Sequence, residues 1–351
     1  MENQIQSKER LYGKTLKELQ EIVAKHKFPK FTAKQISEWL YKKDATSFDQ
    51  MTNLSKKARQ ILMAEYEVGL ETYIDRKESV DGTKKYLFQM GERQYIETAM
   101  IPDGERRTVC VSSQVGCKMN CLFCMTGKQG FQNQLTANHI LNQLRMIDEW
   151  GSITNIVYMG MGEPMDNIDE VLKSLEVITS DWGYAMSPRR VNVSSVGIVP
   201  NLRRFLDESQ CHLAISLHSP YSEEREKIMP VQKAYPLEDV LQLIRQYDFS
   251  GQRRVSFEYI VFAGLNDTPK HARALVALLK GLDCRMNLIR FHEIPNTPLK
   301  GTDENRLQMF KEMLNDKGLL TTIRASRGED IFAACGLLST QKLVDKNKDI
   351  Q

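Results

Sequence analysis

No apolar run in the sequence approaches the length of a membrane span, and no charged segment followed by a short apolar stretch opens it. Neither a membrane partner nor a secretory leader is expected, and a cytoplasmic protein is. Cysteine is sparse and odd in number, with three of the seven falling inside eight positions. That pattern argues against the evenly paired framework of a small secreted fold. No internal repeat is present. An excess of one charge is nearly absent too, at +3 over 351 residues, but the charge is unevenly placed. Between residues 11 and 60 eleven basic side chains stand against five acids, a local +6 that leaves −3 on the remainder. Such a segment suits a polyanion, and equally the solvated face of lysine-rich helices.

What is present begins with Cys117-Lys-Met-Asn-Cys121-Leu-Phe-Cys124. Thiolates are soft ligands that suit iron–sulfur clusters, and C-x-x-x-C-x-x-C supplies three from one short loop. A four-iron cube has four corners, so three ligands leave one iron open to substrate. The alternatives are a zinc site or three unconnected thiols. A structural zinc usually takes four ligands in paired knuckles, and no second knuckle is near.

Along the chain, residues 15–27 place Leu16, Leu19, Ile22 and Val23 at helical spacing, with Thr15 and Glu18 as a capping pair. Amphipathic runs follow Thr32 and Ser55, so residues 1–70 read as a small basic helical domain. Residues 71–107 change to a strand-like period, with turn signals at Asp81-Gly82 and Gly91, and read as a joining sheet. From Thr108, strands are predicted at 108–113, 153–159, 190–195, 211–217, 253–262, 284–291 and 319–324. Helices are predicted between them at 136–149, 168–180, 200–208, 236–248, 269–280 and 303–316. The expected fold is therefore α/β: a partial or full parallel (β/α) barrel over residues 108–338, with the helical domain and joining sheet before it. Residues 339–351 read as a frayed tail. Barrel chemistry sits at the C-terminal ends of strands, and the cysteine loop follows the first strand.

Met159-Gly160-Met161-Gly162-Glu163-Pro164 ends the second barrel strand; its glycines would let a ligand approach the backbone, and Glu163 would accept from an ammonium. An ordinary glycine turn is the plain alternative. Val193-Ser194-Ser195-Val196-Gly197 and Ser216-Leu217-His218-Ser219 close the next two strands, where hydroxyls and an imidazole can hold ribose or a carboxylate, or serve structure alone. Cys110 lies just before the cluster loop. Cys335 lies in a polar, glycine-flanked stretch that fits an exposed loop. Cys211 and Cys284 read as small buried hydrophobes.

The motif resembles that of the radical S-adenosylmethionine (SAM) superfamily, and the run from Thr108 to Phe131 resembles the RlmN family of adenine-C2 RNA methyltransferases. So do Gly160-Met-Gly-Glu-Pro164, Ser187-Pro-Arg-Arg-Val191, Arg225-Glu-Lys-Ile-Met-Pro230 and Ile331-Phe-Ala-Ala-Cys-Gly336. Lys30-Phe-Thr-Ala-Lys-Gln-Ile36 and Thr46-Ser-Phe-Asp-Gln-Met-Thr52 resemble its RNA-contacting N-terminal domain, and the resemblance spans about residues 11–338.

The resemblance implies a radical SAM type of barrel, one [4Fe-4S] cluster on Cys117, Cys121 and Cys124, and two SAM molecules per turnover. It implies SAM contacts at Gly162, Glu163, Ser194, Ser216, Leu217, His218 and His292, the last being a histidine where relatives carry asparagine. Met125 stands where a small residue is usual. Cys335 would carry the methyl group, Glu97 would act as base and Cys110 would resolve the adduct by forming a disulfide. The implied partners are 23S rRNA before full assembly, a subset of tRNAs, and an electron donor such as flavodoxin or ferredoxin; a monomer is expected. The C8-methylating antibiotic-resistance enzymes share the cluster, both cysteines and the glutamate, and are the competing assignment.

Anaerobic metal analysis tests the first step. Iron and acid-labile sulfide in comparable amounts are expected; zinc without sulfide would sink the cluster reading.

Overall fold

The structure, a computed structural model, describes residues 8–340. Of the tail expected over 339–351, residues 341–351 lie outside the described residues. Three amphipathic helices open the chain: α1 (Leu16–Lys25), α2 (Thr32–Tyr41) and α3 (Lys56–Glu65). The capping pair forms as its spacing predicts. Thr15 Oγ1 accepts from the Glu18 N–H at 3.3 Å, and the Glu18 carboxylate accepts from the Thr15 N–H at 2.7 Å. Ser55 caps α3 by accepting from the Ala58 N–H. Leu19, Ile22, Val23, Ile36, Leu40 and Leu62 are buried along the inner faces.

The body is one ten-stranded sheet whose strands lie side by side in chain order. Strands β1 (Asp75–Glu78), β2 (Lys84–Gly91) and β3 (Gln94–Asp103) are antiparallel, and β3 pairs antiparallel with β4 (Arg106–Cys110). From β4 the ladder is parallel throughout: β5 (Asn155–Tyr158), β6 (Val191–Ser195), β7 (His212–Ser216), β8 (Val255–Val261), β9 (Cys284–Arg290) and β10 (Thr321–Ile323). Helices cross between them: α4 (Met125–Gln129), α5 (Ala137–Arg145), α6 (Ile168–Thr179), α7 (Val199–Glu208), α8 (Ser222–Ile228), α9 (Leu237–Ile244), α10 (Pro269–Leu279) and α11 (Glu304–Asp316). Parallel strands in sequential order curl the sheet, and among the described residues no ladder joins β10 back to the other edge. The result is an open, partial barrel. The joining strands β1–β3 are continuous with it through the β3–β4 hairpin.

One face of the inner strands is apolar, with Val191, Val193, Leu213, Ile215, Phe257 and Tyr259 all at most 1 % exposed, while the alternate positions Ser194, Ser216 and Glu258 share the other face. Several strands stop short of their predicted ends, β5 at Tyr158 and β10 at Ile323, because the chain there peels away into the loops that build the site. No helix among the described residues is long and apolar enough to cross a membrane.

The helical domain is docked on α5 and α6. Asn138 on α5 donates its side-chain amide to the carbonyls of Tyr12 (2.9 Å) and Gly69 (2.7 Å), in a fully buried contact. Gly13 (φ +95°) lies against the Asn138 backbone so closely that a Cβ would come within 2.6 Å of it. Arg145 pairs with Asp44 at 3.1 Å and Lys173 with Glu18 at 2.6 Å. Replacing Asn138 by Leu strands the buried Tyr12 carbonyl and leaves Gly69 O to Asn142 alone, which costs about 2 kcal/mol. The expected readout is a lower unfolding free energy in urea, with faster amide exchange over residues 10–68; unchanged exchange there would show that this contact does not hold the domain.

Candidate active site

The site lies at the C-terminal ends of the parallel strands. The chain leaves β4 at Cys110 and runs through Val111–Gln114 into the cysteine loop, which backbone bonds fix at several places. Ser113 and Gln114 donate to Met161 O at 2.8 and 3.2 Å, Cys117 to Gly130 O at 3.2 Å, Leu122 to Ile228 O at 2.9 Å and Met125 to Gly336 O at 2.8 Å. Gly116 (φ +74°) allows the turn: a Cβ there would lie 1.7 Å from Gly130 O. Cys117 and Cys121 are buried and Cys124 is half-buried. Burial pushes the Cys117 thiol up to about 12 and holds Cys121 well above its ordinary value, with neighbouring thiols adding to both.

The glycines of the Gly160–Pro164 turn have a packing use in addition to the one expected. A Cβ on Gly160 would meet Ser112 Oγ and Val111 O at 2.7 Å, and one on Gly162 (φ +101°) would meet the Gln114 side chain at 2.6 Å. They bring the turn against the cysteine loop, and both also line the cavity beside the three thiols. Glu163 is buried and spans to the next strand. Its carboxylate accepts from the Met165 N–H (3.0 Å), Ser195 Oγ (2.7 Å) and the Val196 N–H (2.9 Å). Burial raises its pKa to about 7 against these bonds. No basic side chain pairs with it among the described residues.

A cavity of about 150 Å³ is lined by Cys117, Cys121, Cys124, Gly162, Glu163, Ser194, Ser216, His218, Arg324 and Cys335. The structure thus brings together the three thiols and most of the residues expected to contact SAM. His218 Nδ1 accepts from the Ile260 N–H at 2.9 Å, and burial lowers its pKa to about 3, so the ring is neutral with its proton on Nε2. Leu217 is fully buried and does not line this cavity; its N–H donates to Glu258 O.

A second lobe of about 310 Å³ adjoins the first through Cys124, Met159, Gly160, Arg324, Cys335 and Gly336. Its walls include Cys110, His292, Ser326 and Arg327. His292 is here rather than in the inner lobe, with Nε2 3.1 Å from Ser326 Oγ. Cys110 is buried, its thiol pushed up to about 12; Cys335 is exposed, and both are free thiols.

Glu97, on β3, is not among the lining residues of either lobe. It is paired with Lys85 at 2.9 Å, accepts from the Ser339 N–H at 3.0 Å, and its pKa is raised by burial. The stretch 328–340 covers it. Gly328 donates to Asp81, Asp330 accepts from Ser79 and Val80, and Thr126 Oγ1 donates to Leu338 O. The first residues of the expected tail belong to this cover, since Thr340 donates to Gln129 and to Tyr95 O.

Arg324 was not legible as a site residue. It follows β10, lines both lobes, donates to Met159 Sδ at 3.1 Å and pairs with Glu258 at 3.4 Å. Its charge acts on both Cys110 and Cys335. The only local signal was its place at a strand end.

The residues present fit a cluster with SAM. The three thiols of one loop line the inner lobe together, where a zinc ion would draw them onto one point. A cube instead takes its thiolates on separate irons. Beside them, a buried carboxylate without a cation partner suits an ammonium.

A partial parallel barrel with a three-cysteine loop after its first parallel strand defines a radical SAM enzyme, and residues 111–276 match the Radical SAM superfamily model. A radical SAM methyltransferase from Sphaerobacter thermophilus has the same fold, with a TM-score of 0.86 and 38% identity over 94% of this chain and 99% of that one. Residues 10–68 match the ribosomal RNA large subunit methyltransferase N-terminal domain. The "Probable dual-specificity RNA methyltransferase RlmN" of Bacteroides thetaiotaomicron is 56% identical over 97% of this chain and 99% of its own. The "Dual-specificity RNA methyltransferase RlmN" of Syntrophus aciditrophicus is 41% identical over 95% and 97%. The chain belongs to the RlmN family of radical SAM dual-specificity RNA methyltransferases.

The raised pKa of Glu163 has a signed consequence for the protein free of cluster and SAM. The folded protein keeps a proton that the unfolded chain gives up between about 4.5 and about 7. Stability from this group is therefore full at the acid end and falls as pH rises through that window. Urea unfolding across it should show Glu163→Gln with a flatter pH dependence than the wild type; identical slopes would contradict the assignment.

Proposed function

We propose that the protein methylates C2 of an adenosine in 23S rRNA, before full assembly, and of the adenosine beside the anticodon in a subset of tRNAs. One observation carries the mechanism: Cys110 and Cys335 line one lobe together, and Cys335 and Arg324 also reach the lobe that holds the cysteine triad. A base must leave its stack to enter this space, which favours unpaired adenosines.

One cluster and SAM, when bound, would supply radical chemistry that removes hydrogen from a methyl group, with two SAM molecules consumed per turnover. Cys117, Cys121 and Cys124 hold the cluster, and Glu163 takes the ammonium of SAM. Ser194, Ser216 and His218 line the space around it. Cys335, exposed and beside the Arg324 guanidinium, receives a methyl group as a thiolate. After hydrogen is removed from that methyl, its carbon bonds to C2 and Cys335 carries the RNA covalently. Glu97 then takes the C2 proton. In the described state Glu97 is sealed by Lys85 and the Ser339 N–H, so this step requires the 328–340 cover to shift. With the adduct's unpaired electron returned to the one-electron couple that supplied it, Cys110 finally attacks Cys335 Sγ, forming a disulfide, and the methylene carbon released from sulfur takes a proton to become the methyl group. Arg324 favours the Cys110 thiolate against its burial.

The basic α1–α3 domain makes the first contact with RNA. The remaining expectations are a cytoplasmic monomer reduced by a flavodoxin- or ferredoxin-type donor.

Two variants and one product analysis test this. Cys335→Ala should abolish methylation, while Cys110→Ala should leave a protein–RNA adduct that survives a denaturing gel. Full methylation by Cys335→Ala would end the two-cysteine account. Mass spectrometry of digested RNA should find 2-methyladenosine; 8-methyladenosine alone would transfer the chain to the C8 reaction.

A further inference from the structure

Arg225, on α8, is 0 % exposed and is the largest fully buried side chain among the described residues. Its guanidinium donates to four acceptors: Leu217 O (3.2 Å), Gln232 Oε1 (2.5 Å), Val196 O (2.9 Å) and Ser216 O (3.0 Å). All four are neutral. No carboxylate lies within ion-pair distance among the described residues; Glu238 acts on it from further away and accepts the Ser222 hydroxyl at 2.7 Å. Hydrogen bonds satisfy the donors but leave the charge uncompensated, and a buried charge in that state is costly.

The missing negative charge is next door. Val196 and Ser216, whose carbonyls Arg225 holds, line the inner lobe together with Cys121. The helix that carries Arg225 also anchors the loop, since Ile228 O accepts the Leu122 N–H, one residue after Cys121. When the three thiols become thiolates, Arg225 is the cation behind them.

We propose that Arg225 is the counter-charge of the cysteine-bound cluster, a positioning residue that raises the cluster's reduction potential from behind the loop. This rests on the iron–sulfur reading of the triad. A fixed positive charge in a low-dielectric interior favours the more negative, reduced cluster. The electron comes from an external low-potential one-electron donor. The fork's four bonds also tie the ends of β6 and β7 to the turn after α8, so charge and geometry must be separated.

The test is an anaerobic redox titration of the reconstituted full-length protein, followed by electron paramagnetic resonance, with iron and sulfide content measured in parallel. Arg225→Gln should load the cluster but shift its midpoint to more negative potential. The expected size is a tenfold lower ratio of reduced to oxidised cluster at a fixed poise, or about 59 mV for a one-electron couple. Arg225→Lys keeps the charge and should stay near the wild type. Should Arg225→Gln not fold, Gln232→Glu decides: it is isosteric, sets a carboxylate on Arg225 and should shift the midpoint the same way. An unchanged midpoint in either loaded variant, or an equal shift in Arg225→Lys, overturns the proposal. A wild-type protein without iron and sulfide would fail the cluster reading itself, an outcome distinct from a loaded cluster that ignores Arg225.

Discussion

The site depends on one constraint: a loop of three cysteines must be held rigid without the cysteines holding it. Backbone bonds do this, tying the loop to the turn after β5 (Met161 O), to its own return strand (Gly130 O), to α8 (Ile228 O) and to the C-terminal cover (Gly336 O). Each tether comes from a different part of the chain, so no single helix or strand positions the thiols. The close packing of Gly160 and Gly162 on Val111–Gln114 makes the first tether possible. With the main chain thus satisfied, the sulfurs are left as ligands.

Around that loop the protein has removed water from several acidic groups and placed few charges to match. Cys117, Cys121 and Glu163 are buried, and each has its pKa raised by that burial. Two arginines lie nearby. Arg225 lies behind the triad on the strand-end carbonyls of β6 and β7, while Arg324 lies where the two lobes meet, beside Cys110 and Cys335. A site built in this way suits cationic groups and thiolates at defined places.

The C-terminal stretch has a double role that its polar composition did not announce. It brings Cys335 to the outer lobe, and it closes over Glu97 through Ser339 while Asp81 and Asp330 pin its other end to the β1–β2 hairpin. The residues proposed as methyl carrier and base are thus governed by one segment of chain.

Much of this was legible in the sequence, for reasons that can be named. The capping pair at Thr15 and Glu18, the alternation of strands and helices after Thr108 and the thiol spacing are all local patterns, and local patterns survive in a linear string. The Cβ-sized gaps at Gly160 and Gly162 were visible as glycines, yet what filled them was not. What only the tertiary structure decided is which charges meet: Arg324 with Met159 across 165 positions, Ser339 with Glu97 across 242, and Arg225 with a loop that ends a hundred residues earlier. The physical reason is burial. A side chain's charge acquires its meaning from what is near it once water is gone, and the fold alone sets that neighbourhood.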